Sequence, residues 1–403
     1  MNNDLVTSSV LRPQERVNGV SQTELSVRWW QYVYNIPAPD NPFRYDETND
    51  PQGKKAEINQ APPVFNLVGT LETSNPVVRT VEIKPNQGYE YIFFPLINSE
   101  WDRLFPEGAS DKQLQGLAKA VGDTALAKNG GNLFLKIDDI AIKDLENYRQ
   151  TSDKFIYNLP DNNIAGQPSK IIDNAFSDGF YTTIQLSALS PEDHTIKFGG
   201  TLNLNNLDIP NNLGLEDVEI ILKEAYPDGR FSQDITYNIS FELNPVNGTN
   251  RQDNLFGTQG WDKINGRAGD DHLYGLEGND DIYGGRGSDI LVGVNPSSAN
   301  PGRGEIDILN GGIGQDTFVL GNEQNIFYRG NRLEDYAIIR DFTSQDTIQL
   351  HGNRRLYELN ENYYLGGKEG TAIFMRNSYE LIGFVENVDN LNLANSSDFS
   401  FVQ

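Results

Sequence analysis

The chain contains no cysteine. That removes disulfides, zinc–thiolate sites and cysteine nucleophiles, and by itself says little about compartment. Histidine is almost as scarce, with His194, His272 and His351 the complete set. There is no H-E-x-x-H pair, no G-x-S-x-G elbow and no G-x-x-x-x-G-K-[ST] loop, so the sequence signatures of zinc proteases, serine esterases and P-loop nucleotide enzymes are missing. Basic residues are outnumbered, 32 against 57 acidic ones, which leaves a formal net charge of −25. So acidic a surface repels nucleic-acid backbones and anionic lipid heads, and it suits divalent cations. No apolar run approaches the roughly 18 residues of a membrane-spanning helix. The opening MNNDLVTSSVLRPQERVNG lacks a basic segment followed by an apolar one. It is not a conventional cleaved signal peptide, and any export must read another signal.

What is present is enough for two or three packed domains: 403 residues, 37% hydrophobic. Residues 1–20 are polar and read as a mobile terminus. Ser21 and Glu24 then fit a capping box ahead of Leu25, Trp29 and Val33 at helical spacing, predicting a helix near 22–35. A second helix is predicted near 110–128, where Leu114, Leu117, Ala118, Val121 and Ala125 share a face and Gly130 stands as C-cap. The stretch APDNPFRYDETNDPQGKKAEINQAPP reads as loop. Short apolar runs, among them VVRTVEIK, YEYIFFPLIN, HTIKFGGTL, VEIILKEA and ITYNISFEL, read as strands separated by Gly, Pro and Asn. The expected fold of residues 21–243 is a β-sandwich carrying two helices.

Beyond NPVNGTN the composition changes. From Gly248 to Val319 the chain divides into nine-residue lines, such as GRAGDDHLY, GLEGNDDIY and GGRGSDILV. Position six is Asp253, Asp262, Asp271, Asp280, Asp289, Ser298, Asp307 and Asp316. Position eight is Leu255, Ile264, Leu273, Ile282, Leu291, Asn300, Leu309 and Phe318. A flexible Gly/Asn/Asp linker would explain the glycines but not an aliphatic residue at a fixed step. The line GVNPSSANP at 293–301 has lost both signature residues and reads as a degenerate turn or a bulging loop that keeps its neighbours in register.

These lines resemble the calcium-binding nonapeptide repeats of the RTX (repeats-in-toxin) family, whose fold is a parallel β-roll. The resemblance implies calcium held by Asp253, Asp262, Asp271, Asp280, Asp289, Asp307 and Asp316. Backbone around Gly257, Gly266, Gly269, Gly275, Gly278, Gly284 and Gly287 would assist. Glycine permits the turn conformation, and carbonyls add hard oxygen ligands to the carboxylates. Two lines make one turn of such a roll, so the implied pairs are Asp253/Asp271, Asp262/Asp280, Asp271/Asp289 and Asp289/Asp307. That gives about four well-formed sites, with Asp280 and Asp316 weakened by Ser298. Without calcium the stacked carboxylates repel and the roll should unfold. At ten times the dissociation constant each ion adds about 1.4 kcal/mol.

The segment IIRDFTSQDTIQL resembles the piece that caps many RTX rolls, so residues 320–403 are expected to form a β cap. Asp341 and Asp346 there are either a further calcium site or structural turn residues. In that family the uncleaved export signal for type I secretion lies at the C-terminus, and the ending DFSFVQ is compatible with it. The implied location is extracellular, reached through the type I machinery with no N-terminal signal peptide.

The first domain is less telling. Residues 26–42, YIFFPLIN and LSPEDHTIKFGG resemble blocks of secreted bacterial β-sandwich proteins, a resemblance that brings no activity with it. His194, beside Glu192 and Asp193, is a general base, a ligand or a turn residue, with the turn preferred. Glu100, Asp102, Glu192 and Asp193 are eligible for glycosidase-like pairing, though spacing places no two across a substrate. Trp29, Trp30, Tyr32, Tyr34, Tyr89, Tyr91 and Trp101 either fill a core, as helical and strand spacing favours, or form a sugar-stacking platform. The expected role is extracellular binding, adhesion or surface structure, with polysaccharide or self-association as partner. The alternative is a secreted polysaccharide hydrolase that uses the roll for export.

Overall fold

The computed structural model describes residues 9–43, 54–70, 76–210 and 215–403. The middle of the expected loop, residues 44–53, lies outside that range. The chain is mainly β, as its pattern predicts. Three α-helices occur among the described residues: α1 Gln22–Tyr34, α2 Asp111–Asp123 and α3 Glu216–Ala225.

The first part is a sandwich. Its strands are β1 Val64–Asn66, β2 Val77–Ile83, β3 Tyr91–Trp101, β4 Asn132–Ile137, β5 Ile140–Ala141, β6 Arg149–Thr151, β7 Phe155–Leu159, β8 Lys170–Gln185, β9 His194–Asn203 and β10 Arg230–Phe241. One sheet runs β1-β3-β8-β6 with β7 also on β8, and the other runs β2-β10-β9-β4-β5. Strict alternation in β2 buries Val77, Arg79, Val81 and Ile83 and exposes the residues between them. Val77, Val81 and Ile83 meet Ile92, Phe94, Phe180, Phe198 and Ile235 in a shared core. The buried Arg79 guanidinium donates to the carbonyls of Pro42 (2.6 Å) and Val68 (2.7 Å).

α1 begins at Ser21, whose hydroxyl accepts the Glu24 amide at 3.1 Å. The reciprocal half of the predicted capping box is missing, because the Glu24 carboxylate pairs with Arg28 instead. Leu25, Trp29, Trp30 and Val33 enter a second core with Phe43, Phe93, Tyr157 and Tyr181. The indole of Trp29 donates to Leu67 O at 2.9 Å and that of Trp30 to Tyr181 Oη at 3.0 Å. Both tryptophans therefore fill a core, not a sugar platform. α2 stops at Asp123, short of the expected 128; a 3₁₀ turn, Ala127–Asn129, and Gly130 at φ +76° complete the stretch.

Two expectations fail here. VEIILKEA, read as a strand, lies in α3. Buried Val218 and partly buried Leu222 and Tyr226 fall on one helical face, while Ile220 and Ile221 stay exposed, so packing at a helical period outweighs β-branched propensity. Residues 9–20, read as part of a mobile terminus, are held against the sandwich. Leu11 N donates to Thr183 O, Gln185 N donates to Ser9 O (both 2.9 Å), and Val10 and Val17 are buried.

The second part is a parallel roll. Its strands are β11 Asn244–Asn247, β12 Asn254–Phe256, β13 Asp262–Ala268, β14 His272–Leu276, β15 Asp281–Arg286, β16 Ile290–Val294, β17 Ile306–Ile313 and β18 Thr317–Val319. Then come β19 Tyr336–Ile339, β20 Thr347–His351, β21 Tyr357–Leu365, β22 Lys368–Met375, β23 Leu381–Glu386 and β24 Phe399–Val402. One sheet runs β11-β13-β15-β17-β19-β23-β22-β21 and the facing one β12-β14-β16-β18-β20-β24. Ile264, Leu273, Ile282, Leu291, Leu309 and Phe318 fill the space between them, the ladder that position eight predicts. Residues 320–403, read as a β cap, continue the roll. β19, β23, β20 and β24 extend both sheets in parallel, and the β21–β22 hairpin closes one edge.

The two parts touch directly. Trp261, the fifth residue of its repeat, leaves the roll to pack on Phe241 with ring centroids 4.8 Å apart, inside the sandwich core. Asn86 brackets it, accepting Trp261 N at 2.7 Å and donating to Trp261 O at 2.9 Å. Asn279 reaches back to the carbonyls of Ser187 and Leu189, and Arg340 pairs with Glu192.

Candidate metal centre

Parallel pairing stacks like positions of alternate repeats, and the aspartates form two columns. In one column Asp253 N donates to Asp271 Oδ1 (2.7 Å), Asp271 N to Asp289 Oδ1 (2.8 Å), Asp289 N to Asp316 Oδ1 (2.9 Å) and Asp316 N to Asp346 Oδ1 (2.9 Å). In the other, Asp262 N donates to Asp280 Oδ1 (2.8 Å) and Asp280 N to Asp307 Oδ1 (2.9 Å). Of the four expected pairs, three stand together and Asp289/Asp307 does not. The step is 18 residues up to Asp280 and Asp289 and 27 beyond each, because residues 295–305 leave the ladder as a loop between β16 and β17; from Asp316 to Asp346 it is 30. The degenerate repeat does not hold its place in the register. It is skipped, so Asp280 stands against Asp307 and Asp316 against Asp289, and Ser298 belongs to neither column.

Each inner carboxylate is thus anchored by one oxygen only. Among the described residues, Oδ2 of Asp271, Asp280, Asp289 and Asp316 is buried without a hydrogen-bond partner. The first glycine of each repeat explains where it points. A Cβ on Gly275 would lie 2.1 Å from Asp280 Oδ2 and 2.3 Å from Gly293 O, and one on Gly284 would lie 2.4 Å from Asp289 Oδ2 and 2.6 Å from Gly311 O. Gly257 and Gly266 repeat the arrangement with Asp262 and Asp271. Carboxylate and carbonyl oxygens from successive turns converge on a space that no side chain can enter. The position-four glycines Gly269, Gly278 and Gly287 take φ of +124°, +109° and +132°, turning the backbone at each corner.

Acceptors facing acceptors in a buried space are unfavourable unless a cation joins them. Burial pushes the carboxyls of Asp289 and Asp316 up to about 6, and those of Asp271 and Asp280 up as well. Among the described residues no three acidic or histidine side chains converge on one point. A bound ion would therefore take most of its ligands from backbone carbonyls, the donor set of a hard cation such as calcium.

The ends of the columns are closed differently. Thr249 and Thr258 each donate amide and hydroxyl to Oδ2 of Asp253 and Asp262. Asp262, heading its column, leaves Oδ1 unpaired. Tyr328, buried like its partner, donates its hydroxyl to Asp307 Oδ2 at 2.6 Å, in the space that a Cβ on Gly293 would enter. Asp346 Oδ2 accepts Thr343 N, and Asp341 accepts the amides of Gly311 and Gly312, so both act as turn acceptors. Thr249, Thr258, Thr343 and Tyr328 were not predicted. A threonine four residues before the aspartate in GTNRQD and GTQGWD was the visible signal.

The sandwich carboxylates are engaged elsewhere. Glu100 accepts Tyr34 Oη at 2.7 Å and Asp102 accepts Tyr157 Oη. His194 Nδ1 meets Asp138 Oδ2 at 2.6 Å, and Nε2 meets Ser190 O at 3.0 Å, with Ser190 Oγ farther off at 3.5 Å. Serine, histidine and aspartate are present, but not wired as a hydrolytic triad. Both ring nitrogens face acceptors, and a base needs a free lone pair at Nε2. Burial pushes the imidazole pKa down, but the Asp138 hydrogen bond and charge more than offset it and the net shift is upward. The residue is a clamp between β9 and the Asp138 turn.

The fold and site define an oxygen-lined parallel β-roll suited to hard divalent cations. The family model of the RTX calcium-binding nonapeptide repeat matches residues 256–291 in four copies, so this segment carries RTX repeats, which bind calcium and are typical of secreted proteins. No curated protein matches the chain. Among solved structures the chain is similar to the solution structure of the AlgE6R3 subunit from the Azotobacter vinelandii mannuronan C5-epimerase. The identity is 26%, over 40% of this chain and 83% of that one, with a TM-score of 0.18.

Proposed function

We propose that this is a secreted protein whose roll is exported unfolded through the type I machinery and folds when extracellular calcium fills four sites. Those sites lie at Asp271, Asp280, Asp289 and Asp316, assisted by the carbonyls of neighbouring turns. The observation that carries the reading is the set of four buried Oδ2 atoms with no donor. Extracellular calcium modules bind at about 10⁻⁴–10⁻³ M, so such sites stay empty in cytosol and fill outside. A chain without cysteine suits passage in an unfolded state. The sandwich, joined to the roll through Trp261 and Asn86, then serves as an extracellular binding module, with polysaccharide or a second copy as partner. Circular dichroism and calcium titration of the full chain test the reading. Strand signal should rise with calcium at a stoichiometry of four, and a chain already fully folded in chelator, or binding no calcium, would refute it.

A further inference from the structure

The skipped repeat forms one wall of a cavity of 390 Å³. Asn300 and Arg303 come from the loop, Gln324, Asn325 and Arg329 from the connection between β18 and β19, and His351 from the end of β20. No carboxylate lines it. In a chain of net charge −25, two guanidiniums and an imidazole gathered in a carboxylate-free hollow run against the prevailing charge. Neither arginine has an ion pair among the described residues, and the side-chain hydrogen bond from Arg303 is a long 3.5 Å contact with Asn331. His351 is oriented by Nδ1, bonded to Asn322 O at 2.8 Å, while Nε2 has no bond among the described residues.

The walls are pinned to each other. Tyr328 N donates to Pro301 O (2.9 Å) and Asn322 Nδ2 to Pro296 O (3.2 Å), while Asn322 Oδ1 accepts the amides of Gln324 and Asn325. Gly302 makes the close approach at φ +76°, where a Cβ would meet Tyr328 N at 3.0 Å. A preformed hollow loses less entropy when it binds. Its volume lies within the roughly 300–1,000 Å³ usual for ligand clefts and exceeds what a bare inorganic anion needs.

We propose that this cavity binds a carboxylated sugar unit of an acidic polysaccharide. The forked guanidiniums of Arg303 and Arg329 match a carboxylate. The amides of Asn300, Gln324 and Asn325 each supply a donor and an acceptor, as vicinal hydroxyls require. The reading rests on the calcium-folded roll, because every wall belongs to it.

The test is calorimetric titration of the full chain at fixed, saturating free calcium with glucuronate, glucose and acetate in turn. Glucuronate should bind at least tenfold more tightly than either of the others, and R303Q/R329Q should lose at least tenfold while keeping the wild-type calcium transition by circular dichroism. Glucuronate binding no tighter than acetate or glucose, or unaffected by the double substitution, overturns the proposal. Should the double variant fail to fold, the wild-type protein still decides. Glucuronate must shift the His351 ring resonances and leave those of His194 and His272 in place, and an unmoved His351 overturns it. Loss of the calcium transition in wild type would refute the folding reading instead.

Discussion

Tyr328 offers the sharpest check on how the columns work. Its hydroxyl occupies the position at Asp307 that stands free at Asp271, Asp280, Asp289 and Asp316. Replacing it with phenylalanine deletes one oxygen and leaves Asp307 Oδ2 buried without a donor. A hydrogen bond to a charged group contributes about 1.5–3 kcal/mol, so the variant should be less stable by that amount at low calcium. It should also gain a cation site at Asp307. Linkage turns the two effects into a slope. Each ion bound only by the folded state adds about 1.4 kcal/mol per tenfold rise in free calcium. Unfolding free energy should therefore climb by about 5.5 kcal/mol per decade in the wild type, with four ions, and by about 7 in Tyr328→Phe at high calcium. The two lines should approach and cross once calcium exceeds the new site's dissociation constant by about ten- to a hundredfold. Urea denaturation at a series of buffered calcium levels measures both slopes. Parallel lines separated by a constant offset would show that the hydroxyl does not stand in for an ion.

Other outcomes follow from the same geometry. Asp271→Asn should lower the calcium stoichiometry by one and the slope by about 1.4 kcal/mol per decade, whereas Asp253→Asn, whose Oδ2 is already satisfied by Thr249, should leave the stoichiometry unchanged; calorimetry distinguishes them. Burial raises Asp289 and Asp316 to about 6, above the roughly 3.9 of an unfolded chain. The metal-free folded roll then holds more protons than the unfolded chain between about pH 4 and 6, so its stability falls as pH rises through that window. Calcium requires the ionised form, so its affinity should weaken as pH drops through 6, and a titration series across pH 5–8 showing flat affinity would contradict the assignment. In the sandwich, Asp178 is fully buried against Arg149 at 2.7 Å, and Arg149→Met should cost about 3–5 kcal/mol by stranding that carboxylate, measured as a lowered denaturation midpoint at constant calcium.

The ladder was readable in advance because a fixed period places Ile264, Leu273, Ile282 and Leu291 on one interior line whatever the local detail. The register past Asp289 was not. Counting blocks in sequence treats 293–301 as a turn, whereas the folded chain counts only blocks that can bury an aliphatic residue, and Asn300 cannot. Val218, Leu222 and Tyr226 show a second limit, since a segment of ten residues rich in isoleucine satisfies a strand pattern until its packing partner is known. Asp138 lies 56 residues from His194 and Tyr328 lies 21 from Asp307, both outside any repeat. No local signal marks such partners, and only the folded chain brings them together.

The loop between β16 and β17 shows what the architecture tolerates. Corners of the roll need only deliver the next strand to its slot, so the length of chain spent outside is free to vary while both acidic columns stay continuous. A coil built this way can discard a block from its metal lattice and mount it on the rim as new surface. Diversity at such corners would then accumulate without loss of the mineral scaffold beneath.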